Sequence, residues 1–261
     1  MVSRQHNPQV LAYLNRDPLK HIVQLKMLSA YPGDIESFYL TSGSAAGVLL
    51  LLPTRVSAFD AATYPSTEYV VMIAADTPEV TGRALTQIPG NCGLIFKLIN
   101  PRDRAVIERD YSLDHVASYF SYTCSDDLQF IHSSDIVVSD TLAMSLLPMF
   151  AENGYLRDEL EYYFNSGSAL TFSIAESDGP VSACFTYQNH ADIWEIAGLY
   201  TRENARRKGY AKQVAASALN TLLSRGRVPR YQVLDTNLPS INLARSMGLT
   251  RFLVTQHFLS K

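Results

Sequence analysis

The run Arg206-Arg207-Lys208-Gly209-Tyr210-Ala211 brings three cations, a glycine and the start of a helical stretch to one point of the chain. The apolar segment Ile196 to Thr201 ahead of it reads as a strand, and the amphipathic residues from about Tyr210 onward read as a helix. Such a turn offers free backbone N–H groups, the positive end of a helix dipole and fixed charge, a combination suited to a pyrophosphate. A basic loop capping an ordinary surface helix is the other reading of the same residues. A second segment bears on the choice. The strand-like Tyr231 to Thr236 runs into Asn237-Leu238-Pro239-Ser240 and a short helix ending at Gly248. Pro239 suits a first helical turn and Gly248 a left-handed terminus.

Arg206, Gly209 and Ala211 fill the pattern Q/R-x-x-G-x-G/A. Asn237, Ser240, Leu243 and Gly248, with Leu249 in the aromatic place, follow N-x-x-A/S-x-x-L-Y-x-x-x-G-F. On these two motifs, in this order, the chain from about residue 134 to 261 resembles the GNAT acyltransferase family. The resemblance implies an α+β fold with a central mixed, mostly antiparallel sheet flanked by helices. It also implies acetyl-CoA or another acyl-CoA as co-substrate, and no metal. In the family the pantetheine arm lies like an added strand between two splayed parallel strands, with the pyrophosphate at the helix turn. Leu199, Tyr200 and Thr201 are then expected to bond the pantetheine, and Arg206, Arg207, Lys208, Gly209, Tyr210 and Ala211 to cradle the phosphates. Asn237 and Ser240 join the cofactor-binding set, although an Asx turn serves Asn237 equally well.

Acyl transfer from a thioester to an amine requires the amine neutral and a path for its proton. By the resemblance, Glu195 stands where glycine N-acyltransferase-like members carry a basic glutamate. Strand alternation puts it on one face with Ala197 and Leu199, opposite Ile196 and Gly198. A carboxylate in a partly apolar cleft beside Trp194 and Ile196 accepts a proton more readily than one in water. A solvated strand carboxylate is the plainer reading, and His190 is the reserve base. Ala244 occupies the place where many members carry a tyrosine that protonates the departing thiolate. Tyr210, Tyr231, Ser246 or a water are the substitutes, or the thiolate leaves unaided. Tyr155, Tyr162, Tyr163 and Phe164 form an aromatic segment that serves either the core or an acceptor entrance, and Asp158, Glu159 and Glu161 beside it serve either a cationic amine or a solvated helix face. The expected activity is transfer of an acetyl or short acyl group to a primary amine of a small molecule. A non-catalytic acyl-CoA-binding module is the alternative.

Composition limits the field further. A net charge of −3 supplies no global basic field for nucleic acid. Cys92, Cys124 and Cys184 are widely spaced with no C-x-x-C pair, so they read as buried thiols in a reducing compartment. The apolar run Ala45 to Leu52 is too short to span a bilayer, and Met1 to Leu28 mixes charge through its apolar residues, unlike a signal peptide. The expectation is a cytoplasmic protein, with a homodimer left open.

The elements that position these residues repeat. In the first half a helical pattern over Val10 to Leu28 precedes strands at Ser37–Leu40, Gly47–Leu52 and Tyr69–Ile73. A helix at Pro78–Leu85, a strand at Gly93–Leu98, a helix at Pro101–Arg109 and a strand at His115–Tyr122 follow. The second half offers Ile136–Val138, a helical zone from Leu142 to Phe164 broken at Asn153-Gly154, and strands at Leu170–Ala175, Val181–Gln188 and Ile193–Thr201. The similar order suggests a tandem: a degenerate GNAT-like half (1–124) with a packing and substrate-shaping role, an unrelated α/β domain being the other reading, then a polar linker (125–135) and a catalytic half (136–261). In the first half the equivalent turn carries Glu79, which repels a pyrophosphate.

Overall fold

The computed structural model describes residues 8–125, 128–130 and 133–260. Asp126, Asp127 and His132 of the polar stretch, and residues 1–7, lie outside the described residues. The chain forms two compact units, one running to Tyr119 and resuming at Leu253, the other comprising Phe120–Phe252.

The first unit opens with α1 (Pro8–Leu14) and α2 (Ile22–Ala30), two helices where the apolar spacing reads as one stretch. The hairpin β1 (Glu36–Ser42) and β2 (Ala45–Pro53) follows, then α3 (Ala58–Thr63), β3 (Tyr69–Ala75), α4 (Pro78–Leu85), β4 (Leu94–Leu98), α5 (Pro101–Ile107) and β5 (Leu113–Thr123). β5 passes into the second unit at Phe120. β2 is a near-continuous aliphatic run because it is covered on both faces. Val48, Leu50 and Leu52 pack with Val10, Leu14 and Leu25, while Leu49 and Leu51 pack with Ala84, Val106 and Ile107. Strand order is β1-β2-β3-β4-β11, where β11 (Thr250–Ser260) is the last strand of the chain. β3 and β4 run parallel from Tyr69↔Leu94 to Val71↔Phe96, and the other pairs are antiparallel.

In the second unit β6 (Val137–Ser139), α6 (Leu147–Ala151), α7 (Arg157–Asn165), β7 (Ala169–Glu176), β8 (Gly179–His190) and β9 (Ile193–Thr201) lead to α8 (Tyr210–Ser224), β10 (Val228–Leu234) and α9 (Leu238–Ser246). The order is β6-β7-β8-β9-β10, with the end of β5 beyond β10. Only β9 and β10 pair in parallel among the strands from β6 to β10. One face of the sheet carries α8 and α9 over Phe172, Trp194, Ile196 and Tyr231. The other carries α6 and α7 over Phe185, Tyr187 and Ala197. The mixed, mostly antiparallel sheet flanked by helices agrees with the expected fold class. Three strands, helix, strand, helix recur as β1 to α5, with α3 interposed, and as β7 to α9.

The division differs from the linear one at residues 124 and 135. Residues 253–261 belong to the first unit, where β11 supplies β4 with an antiparallel neighbour and buries Phe258 in the core. Neither β11 nor α3 stands out in the sequence pattern. The cysteines are free thiols; Cys124 and Cys184 are buried, whereas Cys92 is partly exposed. Among the described residues, no helix is long and apolar enough to cross a membrane, and no group of three metal-ligating side chains gathers.

Candidate active site

Parallel pairing of β9 with β10 covers four positions, Ile193↔Val228 to Ile196↔Tyr231, and then stops. A cavity of about 190 Å³ opens from this last pair onward, lined by Ile196 to Leu199 on one strand and Tyr231 to Leu234 on the other. Among the described residues, the edge of β9 from Ala197 to Thr201 has no strand partner on that side, so its backbone groups can bond an extended ligand. Leu199, Tyr200 and Thr201 thus stand on the expected edge; the Leu199 carbonyl also accepts from Asn153 Nδ2 at 3.5 Å.

A bulge shapes this edge. The β8–β9 register slips between Ala183↔Tyr200 and Phe185↔Ala197, and Gly198 takes a φ of +61°. The extra residue reverses the alternation beyond it. Glu195 and Ala197 share the α6/α7 face as expected, but Leu199 packs on the α8/α9 face and Tyr200 on the α6/α7 face. The prediction that Leu199 shares the face of Glu195 is therefore corrected.

Glu195 is 4% exposed and lines the cavity. Its surroundings are not the apolar ones expected, since Trp194 and Ile196 point to the opposite face. Oε2 accepts from Arg230, its register partner on β10, in a buried ion pair, and from Asn189 Nδ2 at 3.0 Å. Oε1 accepts from the Gln232 N–H at 3.0 Å. Arg230 in turn donates to Ser121 Oγ at 3.1 Å. The plain alternation of β10 offers no hint of Arg230, because register across a parallel pair is not a local property. Tyr155 and Tyr187 complete the wall on this side. Burial, reinforced by neighbouring carboxylates including Glu195, pushes both phenols well above the usual range, so both remain protonated donors.

The loop before α8 has the geometry of an anion cradle. Arg207 has a φ of +65° and Gly209, at the N-cap, +85°, with open space before the glycine. The first bond into the helix runs from Gln213 N–H to the Gly209 carbonyl, 3.1 Å, leaving the amides of Tyr210, Ala211 and Lys212 without helical acceptors. Not every cation is free. Lys208 pairs with Glu176 at 3.1 Å, and Arg206 bonds the Thr201 carbonyl at 3.2 Å. Arg207 makes no ion pair among the described residues. These residues and the open β9 edge fit the phosphate and pantetheine of an acyl-CoA.

At the far wall Asn237 and Ser240 line the cavity, with Asn237 Oδ1 capping α9 by accepting from the Ser240 N–H at 3.1 Å. Of the substitutes for the missing tyrosine, Tyr210 is half-buried and bonds Glu176 at 2.6 Å, and Ser246 bonds the Leu243 carbonyl at 2.9 Å. Neither lines the cavity. Tyr231 does; its hydroxyl bonds Ser240, and burial pushes it up to about 12. His190 ends β8 outside the lining. Of the aromatic segment, Tyr155 reaches the cavity, Tyr163 stacks on Tyr187 at 4.2 Å, Phe164 is core and Tyr162 is 72% exposed.

Residues 157–252 match the family model described as GNAT acetyltransferase. The matched residues lie within the second unit. GNAT structures share the fold across most of the chain. An acetyltransferase from the GNAT family of Colwellia psychrerythraea has a TM-score of 0.63 at 11% identity, covering 98% of each chain. A GCN5-related N-acetyltransferase from Kribbella flavida has a TM-score of 0.61 at 15% identity, covering 92% of this chain and 95% of its own. A tandem GNAT protein from the clavulanic acid biosynthesis pathway, 9% identical, covers 97% of this chain and 95% of its own with a TM-score of 0.52. At these identities the likeness concerns the GNAT fold. Comparison with curated proteins yields no match.

Proposed function

We propose that the protein transfers an acetyl or short acyl group from acyl-CoA to a primary amine of a small molecule, in one complex. The reading rests on one succession along the chain: β9 carries Glu195 and the cavity lining up to Leu199, and after Thr201 the chain leads into the Arg206–Ala211 cradle. The acyl-CoA supplies a thioester carbon for the amine to attack. The backbone of Leu199 to Thr201 holds the extended arm, and the amides from Tyr210 to Lys212, with Arg206 and Arg207, hold the phosphates. Each such contact contributes of order 0.3–1 kcal/mol at an exposed site, and their convergence confers affinity. Glu195 receives the amine proton, directly or through water, while Arg230 and Asn189 fix its carboxylate. Asn237 and Ser240 orient the ligand at the α9 wall. A non-catalytic binding module is the second reading, favoured by Ala244 and by the ion pair that already engages Glu195.

Thermal unfolding with acetyl-CoA, longer acyl-CoAs and CoA tests the site, since a ligand binding only the folded state raises stability by RT ln(1 + [L]/Kd). A rise with acetyl-CoA, lost in Gly209→Glu, is expected. Glu195→Gln should keep that rise while turnover falls by about 10²–10⁴. Unchanged turnover would remove Glu195 from the chemistry, and binding retained by Gly209→Glu would remove the cradle.

A further inference from the structure

The cavity is lined by β9 and β10 where they part, so side chains from both faces of the sheet reach it. Glu195 and its register partner Arg230 point to the α6/α7 face, while the next pair, Ile196 and Tyr231, points to the α8/α9 face. Of the lining hydroxyls, Tyr155 and Tyr187 pack on the side of Glu195, and Tyr231 and Ser240 belong to the opposite side. The Tyr231 ring is held by Ile196, Leu243, Ala244 and Met247 around a small apolar void. Ser240 bonds its hydroxyl in the sense that eases ionisation, with the serine donating. Ser240 is fixed in turn, its own amide bonding Asn237 Oδ1 at 3.1 Å. The phenol therefore keeps its O–H for another acceptor.

We propose that Tyr231 donates a hydrogen bond to the sulfur of acyl-CoA and holds it as a thiolate when the acyl group leaves. The inference deepens the proposed acyl transfer and rests on it. Arg206 Nε bonds the Thr201 carbonyl at 3.2 Å, which ties the cradle to the end of β9. From Thr201 back to Ile196 the strand covers about 16 Å at about 3.3 Å per residue. The extended arm of CoA from phosphorus to sulfur covers a similar length, about 15 Å at the reach per bond of an extended chain. A phosphate at the cradle thus brings the sulfur to the parting of the strands, where Glu195 and Tyr231 line the cavity from opposite faces. The amine nitrogen bonds the thioester carbon and gives its proton to Glu195 and on to water. The C–S bond breaks with its electron pair on sulfur, so the products are an amide, CoA thiolate and one released proton. The phenol keeps its own proton, since burial pushes Tyr231 up to about 12 whereas an alkyl thiol ionises near about 8.5. No separate acid is then needed in the place held by Ala244.

The test needs no acceptor. CoA carrying carbon-13 at the methylene bonded to sulfur is titrated with pH on the full chain, and the NMR shift of that carbon reads the ionisation of the thiol. Bound to the protein, the thiol should ionise with a constant about tenfold above that of free CoA, the margin of a hydrogen bond to a charged group over one to a neutral group. Tyr231→Phe, which keeps the ring and its packing, should remove most of that gain while CoA still raises thermal stability. A role confined to packing would lower the stability of the variant and leave the ionisation of bound CoA as it is in the unaltered protein. A thiol that ionises on the unaltered protein as it does in free CoA overturns the inference. So does a gain that Tyr231→Phe keeps, and in both cases acyl-CoA binding stands. Absence of any thermal response to CoA or acetyl-CoA overturns the proposed function together with the inference.

Discussion

Gly198 joins two constraints that only glycine meets. Its φ of +61° is unfavourable for a residue with a Cβ, and a Cβ there would lie 2.6 Å from the ring of Phe185 and 3.0 Å from that of Phe150. Gly198→Ala is therefore expected to destabilise the second unit by about 2–4 kcal/mol, from backbone strain and overpacking together. Urea unfolding measures this, and a change under about 0.5 kcal/mol, the level of a neutral surface substitution, would show that the bulge relaxes freely. Arg230 presents the opposite situation, a side chain whose value lies in its partner. Arg230→Met leaves Glu195 buried and uncompensated, so a loss of about 3–5 kcal/mol is expected. The double variant with Glu195→Leu should recover part of that loss, and no recovery would argue against the pair. Residue by residue, the sequence singled out the cradle by a short motif and Glu195 by the family resemblance, and the structure puts Glu195 on the cavity wall and the cradle at the start of α8. It concealed Arg230, which acts across a strand register, and the facing of Leu199, which a bulge inverts.

At the scale of elements, α4 and α5 are joined by a buried acid. Asp103 is 2% exposed and accepts from Thr81 Oγ1 at 2.6 Å, and burial pushes its carboxyl up to about 6. A folded-state value above the usual 3.8 means that the proton binds the native state more tightly than the unfolded chain. That contribution is complete below the unfolded value, near pH 4, and is lost as pH rises through about 6. Above pH 7 the charged carboxylate costs up to about 3 kcal/mol, at 1.36 kcal/mol per unit. Asp103→Asn should therefore stabilise the protein at pH 8 and do little at pH 4.5, since the amide oxygen can still accept from Thr81. Equal effects at both pH values in urea melts would refute the assignment. Beneath α3, Lys97 and Asp60 form a buried ion pair at 2.7 Å, with Ser57 donating to Asp60 at 2.9 Å. The regular helices and strands were legible from apolar spacing, turn residues and Pro at first turns, and α4 matches its predicted bounds. α3 was not, because its six residues are too few to show a period and its helix rests on the Ser57 cap and this ion pair.

For the whole molecule, the repeated succession of elements holds two different contents. Where the second unit follows its parallel strand with Arg206–Gly209, the first follows β3 with Asp76, whose carboxylate accepts from Tyr13 at 3.1 Å, Arg16 at 2.8 Å and the Ala46 N–H at 3.0 Å. Asp76 and Glu79 put carboxylates around that turn where the second unit has cations, so calorimetry should find one acetyl-CoA per chain, and a second equivalent site would contradict this. The last strand shows why the domain division could not be read linearly. Thr250–Ser260 packs on both faces and pairs with β4, about 160 residues earlier in the chain, a partner that no local pattern specifies. Removing residues 253–261 takes from the first unit the fully buried Phe258, the 2.6 Å bond between Tyr64 and His257, and the partner of β4 from Ile95 to Leu98. Loss of a buried phenylalanine alone costs about 3–5 kcal/mol, against a typical domain stability of about 5–15 kcal/mol. Loss of the strand is therefore a large cost on the scale of a domain's stability. In a chain ending at Phe252, amides of β2, β3 and β4 should lose hydrogen-exchange protection, while those of β7, β8 and β9 keep theirs because their partners all lie within residues 120–252. Protection lost equally in both sets would mean that the two units unfold as one, and protection kept in both would mean that β11 is dispensable to the first.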